Sequence, residues 1–259
     1  MANYPQLTTG ALSQFPIRKR KYARTVVNRL ADGSSIKLAD AQGGSTGWQL
    51  QYAGLSDAEA GTLQQFFQSC EGSLNSFTFV DPVGNLLAWS EDLTNAVWQP
   101  GPLLAVSGAV NDPFGGTNAF QLSNSATAGQ ALSQTLNAPG AYTYTFSVYV
   151  QAAAAATATL TIGSASLNVA VGTSWRRVSF TAAGDASAAS VAFGIQIAPG
   201  AISVFGPQVE VQPQASPYKK STTGGVYQNA RFQGDSLTVT STALNQNSVT
   251  VNILYADHL

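Results

Sequence analysis

The sequence predicts a mainly β protein: a small β-sheet or barrel unit with one α-helix, split by an inserted β-sandwich of the jelly-roll kind. Three observations predict it. Apolar and polar residues alternate in short segments along most of the chain, the period-two signature of half-buried strands. A single stretch, residues 56–72, shows helical spacing instead. Charge also falls away in the middle, where Arg176, Arg177, Lys219 and Lys220 are the basic residues of the whole span 83–220. Across 259 residues 44% are hydrophobic and 10% charged, with a net charge of -1. The charged share is far below the usual value of about 25%, which argues against a disordered chain, a coiled coil or a highly charged nucleic-acid binder. The length suits two domains.

The outer unit comes first. Thr25-Val26-Val27-Asn28-Arg29-Leu30 precedes Asp32-Gly33, and Ile36 and Leu38 alternate after it, which predicts a hairpin. Trp48, Leu50 and Tyr52 then share one face of a strand. Ser56-Asp57-Ala58-Glu59 has the form of a capping box, with Leu55 placed as a hydrophobic staple. Ala60, Leu63, Phe66, Phe67 and Cys70 follow as an apolar helix face, and Gly72 is placed to end the helix. Phe77-Thr78-Phe79 returns to strand periodicity before Asp81-Pro82. At the far end, Leu237 and Val239 alternate with threonines. Asn245-Gln246-Asn247-Ser248 then turns the chain into the strand Val249–Tyr255. This closing hairpin has no helix to pack on unless it returns to residues 1–82.

The interruption is therefore an insertion, and the predicted boundaries are 1–82, 83–220 and 221–259. Within it, Tyr142, Tyr144, Phe146, Val148 and Val150 share one face of a strand, and Thr143, Thr145, Ser147, Tyr149 and Gln151 the other. Alternation recurs over 157–162, 176–180, 191–197 and 202–211, the pattern of an all-β sandwich.

Catalytic chemistry has little to stand on. One cysteine and one histidine exclude a disulfide framework and the usual Cys/His zinc sites. No catalytic residue, cofactor-binding motif or metal cluster is read, and no cofactor is expected. Cys70 reads as a small buried hydrophobe. His258 is a poor general base near the chain end, and Asn111-Asp112 is a minor candidate for a structural cation. The opening residues lack the pattern of a secretory signal, and the alanine run 152–156 is too short to span a membrane.

The outer unit resembles the minor and distal tail proteins of long-tailed bacteriophages. Leu63, Phe66, Phe67, Gly72, Ser76, Phe77, Phe79 and Pro82 carry that likeness, with Ala230-Arg231-Phe232 and the closing alternation. The inserted unit resembles a carbohydrate-binding-module-like jelly roll. Its opening Asn85–Trp98 matches, as do Ser147–Ala152, Thr173–Ser179, Phe205-Gly206-Pro207-Gln208-Val209-Glu210 and the close Ala215-Ser216-Pro217-Tyr218. The resemblance implies a structural virion protein, assembled in the host cytoplasm. It would form a homo-oligomeric ring of six copies at the distal end of the tail, against the tail tube and the tail-tip or baseplate hub proteins. The sandwich would project outward toward a host cell-surface glycan. A free-standing carbohydrate-binding adhesin or lectin is the alternative.

Two residue sets follow as candidates. Arg18, Lys19, Arg20, Lys21 and Arg24, a basic run without an intervening acid, are expected at ring or tube contacts rather than on nucleic acid. Tyr149, Trp175, Arg177 and Gln196 are the candidate glycan contacts, because sugars need aromatic faces beside planar polar groups. Membrane insertion is not expected.

Overall fold

The computed structural model describes residues 2–256, the side chains of residues 41 and 42 excepted. In chain order the elements are β1 (Ala2–Asn3), β2 (Ile17–Arg29), β3 (Ser35–Leu55), α1 (Asp57–Ser69), β4 (Phe77–Val80), β5 (Gln99–Pro100), β6 (Leu104–Val110), β7 (Ala119–Asn124), β8 (Gln130–Leu136), β9 (Thr143–Gln151), β10 (Ala156–Ile162), β11 (Ala165–Val171), β12 (Arg176–Ala183), β13 (Val191–Ile197), β14 (Gly200–Glu210), β15 (Val226–Phe232), β16 (Val239–Ala243) and β17 (Gln246–Ala256). They fall into two compact units. The first takes in the residues up to Thr8, Leu12–Phe79 and those from Tyr227 onward. The second comprises Thr9–Ala11 and Val80–Val226.

The first unit is one sheet in the order β1-β4-β15-β17-β3-β2, with β16 paired to β17. The path does not close, so the sheet-or-barrel expectation resolves to an open sheet. Trp48, Leu50 and Tyr52 alternate inward and are buried, as their spacing predicts. The capping box of α1 is present: Ser56 accepts from the Glu59 amide while Glu59 accepts from the Ser56 amide. Ala60 and Leu63 are buried on its inner face, and its C-cap, Cys70, is buried too. Tyr4 meets Phe66 and Phe79 edge-on at centroid distances of 5.7 and 5.5 Å, and Phe77 and Phe232 complete the aromatic core. After the helix, Gly72 takes a φ of +64°, open to glycine and strained for residues with a Cβ. The closing hairpin differs from its expected form. Asn245 adopts a φ of +56° in a turn with Leu244, while Asn247 and Ser248 pair with Ser241 and Thr240 in the ladder. Asparagine tolerates that backbone conformation, which moves the turn earlier than the polar run suggests.

The second unit is a sandwich of two antiparallel five-stranded sheets, β11-β10-β13-β8-β5 and β12-β9-β14-β7-β6. Tyr144 and Phe146 of one sheet pack on Phe193 of the other, at 5.3 and 6.2 Å between ring centroids. The opening segment 85–98 forms turns rather than a strand. Asn85 is buried there: its amide donates to Pro207 O (2.9 Å), and its Oδ1 accepts from the amides of Leu87 and Val209. Trp98 is buried and donates from Nε1 to Trp89 O (3.1 Å). The two ends of the unit meet where the Asp81 amide donates to Gly225 O (2.8 Å).

Candidate binding face and assembly arm

On β9 the residues that turn away from the sandwich core are Thr145, Ser147, Tyr149 and Gln151. Strand register continues their face sideways. Arg177 of β12 and Phe205 of β14 flank Tyr149, and Gln208 flanks Ser147. The Gln208 end of this face is covered by the segment that follows β14. Glu210, 2% exposed, accepts from the Ser216 amide (2.9 Å), the Ser216 hydroxyl (2.5 Å) and the Gln208 side chain (2.8 Å). Tyr218 packs its ring edge-on against Phe205 and is hydrogen-bonded to the Ser90 hydroxyl (2.9 Å). The paired motifs of the sequence are thus a latch that closes the module.

Arg177 belongs to that latch. Its guanidinium donates to Ser216 O (2.6 Å) and to Ser147 Oγ (2.8 Å), and it stands 5.6 Å from the Tyr149 ring centre. The structure therefore brings Tyr149 and Arg177 together, as alternation predicts. Trp175 sits one position before β12, half-buried. Gln196 departs from the set: it is exposed on β13, in the other sheet, paired in register with Thr159 and Ala131. A polar outward position is the same pattern on either sheet, so parity alone cannot tell the two outer faces apart.

Sequence reasoning passed over Phe114. This residue, 66% exposed, packs edge-on against Tyr149 (5.5 Å) and Phe205 (5.8 Å) from the loop between β6 and β7. Asp112 fixes that loop. Its carboxylate accepts from the amides of Phe114 (2.8 Å), Gly116 (3.1 Å) and Asn118 (3.2 Å) and from the Asn118 side chain (3.2 Å). Burial alone would raise the Asp112 pKa, but these bonds outweigh it and hold the group below its ordinary value. With its oxygens so occupied Asp112 organises a loop, and the cation suggested at this position has no free carboxylate to meet. No cluster of three or more His, Cys, Asp or Glu suited to a metal occurs among the described residues. His258 lies outside the described residues.

The basic run lies on β2, the edge strand of the first unit, and 12 of its 13 residues are exposed. β2 and β3 form a long hairpin. Near its base, Arg18 donates to Gln49 Oε1 (3.2 Å), and Lys19 lies over the Trp48 and Tyr227 rings at 5.6 and 6.0 Å. A register shift follows between Tyr22 and Arg24, beyond which Arg24 pairs with Asp40. Toward the tip Val26 faces Leu38 and Asn28 faces Ile36. Val26, Val27, Leu30, Ile36 and Leu38 are each 40–51% exposed. The five cations are thus not equivalent: Arg18, Lys19 and Arg24 have partners within the hairpin.

No family model and no curated protein matches the chain. Among solved structures, it is similar to the C-terminal family 22 carbohydrate-binding module of Clostridium thermocellum Xyn10B, at 14% identity and a TM-score of 0.44, over 53% of this chain and 99% of that one. The tandem family 22 modules of Paenibacillus barcinonensis Xyn10C align at 18% identity and a TM-score of 0.44, over 66% and 61%. The enzymatically active domain of tailspike protein 4 from bacteriophage CBA120 aligns at 14% identity and a TM-score of 0.39, over 50% of this chain. The chain spans 22% of that tailspike structure's length.

Proposed function

We propose that this is a structural protein of the phage distal or minor tail type. Its first unit joins copies into a ring, six by the resemblance, between the tail tube and the tail-tip proteins. Its sandwich is displayed outward to bind host glycan. The observation that carries this reading is the β2–β3 hairpin. A two-stranded ribbon is marginal in water without a packed face, yet this one extends its distal half into solvent with valine, leucine and isoleucine uncovered on it. Such an edge is a template for association, and the arginines and lysines along it restrict which partner can add there. A free-standing lectin has no use for the ribbon.

The test is sedimentation of the purified protein across a wide concentration range, beside microscopy of tail particles in which this chain is located by antibody. Expected is a concentration-dependent closed oligomer and a ring at the distal end. The double variant Val26→Ser with Leu38→Ser should remain folded and sediment as a monomer. Absence of the chain from particles, together with a monomer at every concentration, overturns the reading.

A further inference from the structure

We propose that the second unit holds an uncharged saccharide in a groove across β9, β14 and β7, with Phe114 as its aromatic wall. This rests on the glycan-binding part of the function above and names the ligand's chemical class and the residues that select it. Ser203 of β14 pairs in register with Gln151 of β9 on one side and Gln121 of β7 on the other. The three outward side chains therefore form a row about 4.8 Å apart along the hydrogen-bonding direction of the sheet. They line, with Thr173, a groove of about 340 Å³ that Ala152, Ala153 and Ala201 also border. One step along the same face the row becomes Tyr149 and Phe205, and Phe114 rises over both.

The chemistry of this arrangement is specific. Amides and hydroxyls both give and accept hydrogen bonds, which matches sugar hydroxyls, while the alanines and the Phe114 ring suit the C–H faces of a sugar ring. None of the groove's lining residues is charged. Arg177, on the same face, is held by Ser216, Ser147 and the Tyr149 ring. A carboxylate-bearing sugar would lose its hydration here and gain no counter-charge, so acidic glycans are disfavoured. Phe114 is also pre-organised. Asp112 fixes its loop before any ligand arrives, so little ordering remains to be done on binding.

The full chain would be applied to an array of neutral, uronic-acid and sialic-acid oligosaccharides, and the best neutral binder titrated at low and high salt. Expected is selection of neutral sugars with an affinity that salt leaves within about twofold, since no ion pair is screened. Phe114→Ala and Gln121→Ala, both at exposed positions, should each keep the fold, with Phe114→Ala weakening binding by about tenfold. Binding confined to acidic glycans, falling as salt rises, overturns the proposal while leaving glycan binding itself intact. Neutral binding undiminished in both variants overturns this groove as the site. Failure to bind any glycan on the array overturns both this proposal and the glycan-binding reading.

Discussion

Glu210 shows what a single residue does in this fold. A carboxylate 2% exposed would be costly to bury unpaired, and here it accepts three hydrogen bonds, with Lys219 Nζ 3.7 Å away. Glu210→Ala leaves the Ser216 amide and the Gln208 side chain without that acceptor. We expect a loss of about 2–4 kcal/mol in denaturant unfolding and new proteolytic cleavage between residues 211 and 221. An unchanged midpoint would remove the latch role. The motif around Glu210 was visible in the sequence, but its purpose was not: Ser216 reaches Glu210 from a loop that has no periodicity, and Asn85 bonds across 122 residues to Pro207. Phe114 was invisible for a related reason. An aromatic in a glycine-rich loop has no period to announce it, and only the folded face shows that it overhangs Tyr149.

Elements with a local cause were the ones sequence could read. The Ser56–Glu59 box, the apolar face of α1 and the inward set Trp48, Leu50 and Tyr52 each depend on neighbours in the chain. Strands β6 and β11 had no such signal, since much of each is exposed and built from small residues, with burial that does not alternate cleanly. The helix start makes a pH prediction. Glu59 is held below the ordinary glutamate range first by the Thr8 hydroxyl (2.6 Å), with help from the amides of Ser56 and Thr8 and against partial burial. A depressed pKa means that its contribution is present above the unfolded glutamate value and disappears as pH falls through the folded one. Glu59→Gln should therefore melt at lower temperature than the parent above about pH 5, by about 1 kcal/mol of stability. The two proteins should converge once pH has fallen below the depressed folded value. Parallel melting curves at all pH values would show that the carboxylate does nothing for the helix.

At the scale of the molecule, the inserted unit begins and ends at one place, where Asp81 and Gly225 are hydrogen-bonded, and each unit has its own aromatic core. Two cores predict two cooperative transitions in calorimetry, with Phe193→Ala lowering one of them by about 3–5 kcal/mol and leaving the other in place. Charge is divided as unequally as the cores. Seven of the 12 lysines and arginines, but only two of the 13 acids, lie between residues 17 and 55. The hairpin region thus carries +5 and the remainder -6, which together give the chain's net -1. In the proposed ring, this division of charge would draw the arm of one copy toward the body of another and away from its arm. That favours head-to-tail contacts, which close into rings when the rotation allows. Because the exposed charges are screened beyond about 8 Å at physiological salt, association should be fastest at low ionic strength and slow as salt is added. The apolar contact of Val26 and Leu38 should be much less sensitive to salt. Stopped-flow light scattering across a salt series would show this as a falling association rate with a nearly constant dissociation rate. Association that quickens as salt rises would instead make the apolar tip the driver and the arginines and lysines a barrier against mispairing.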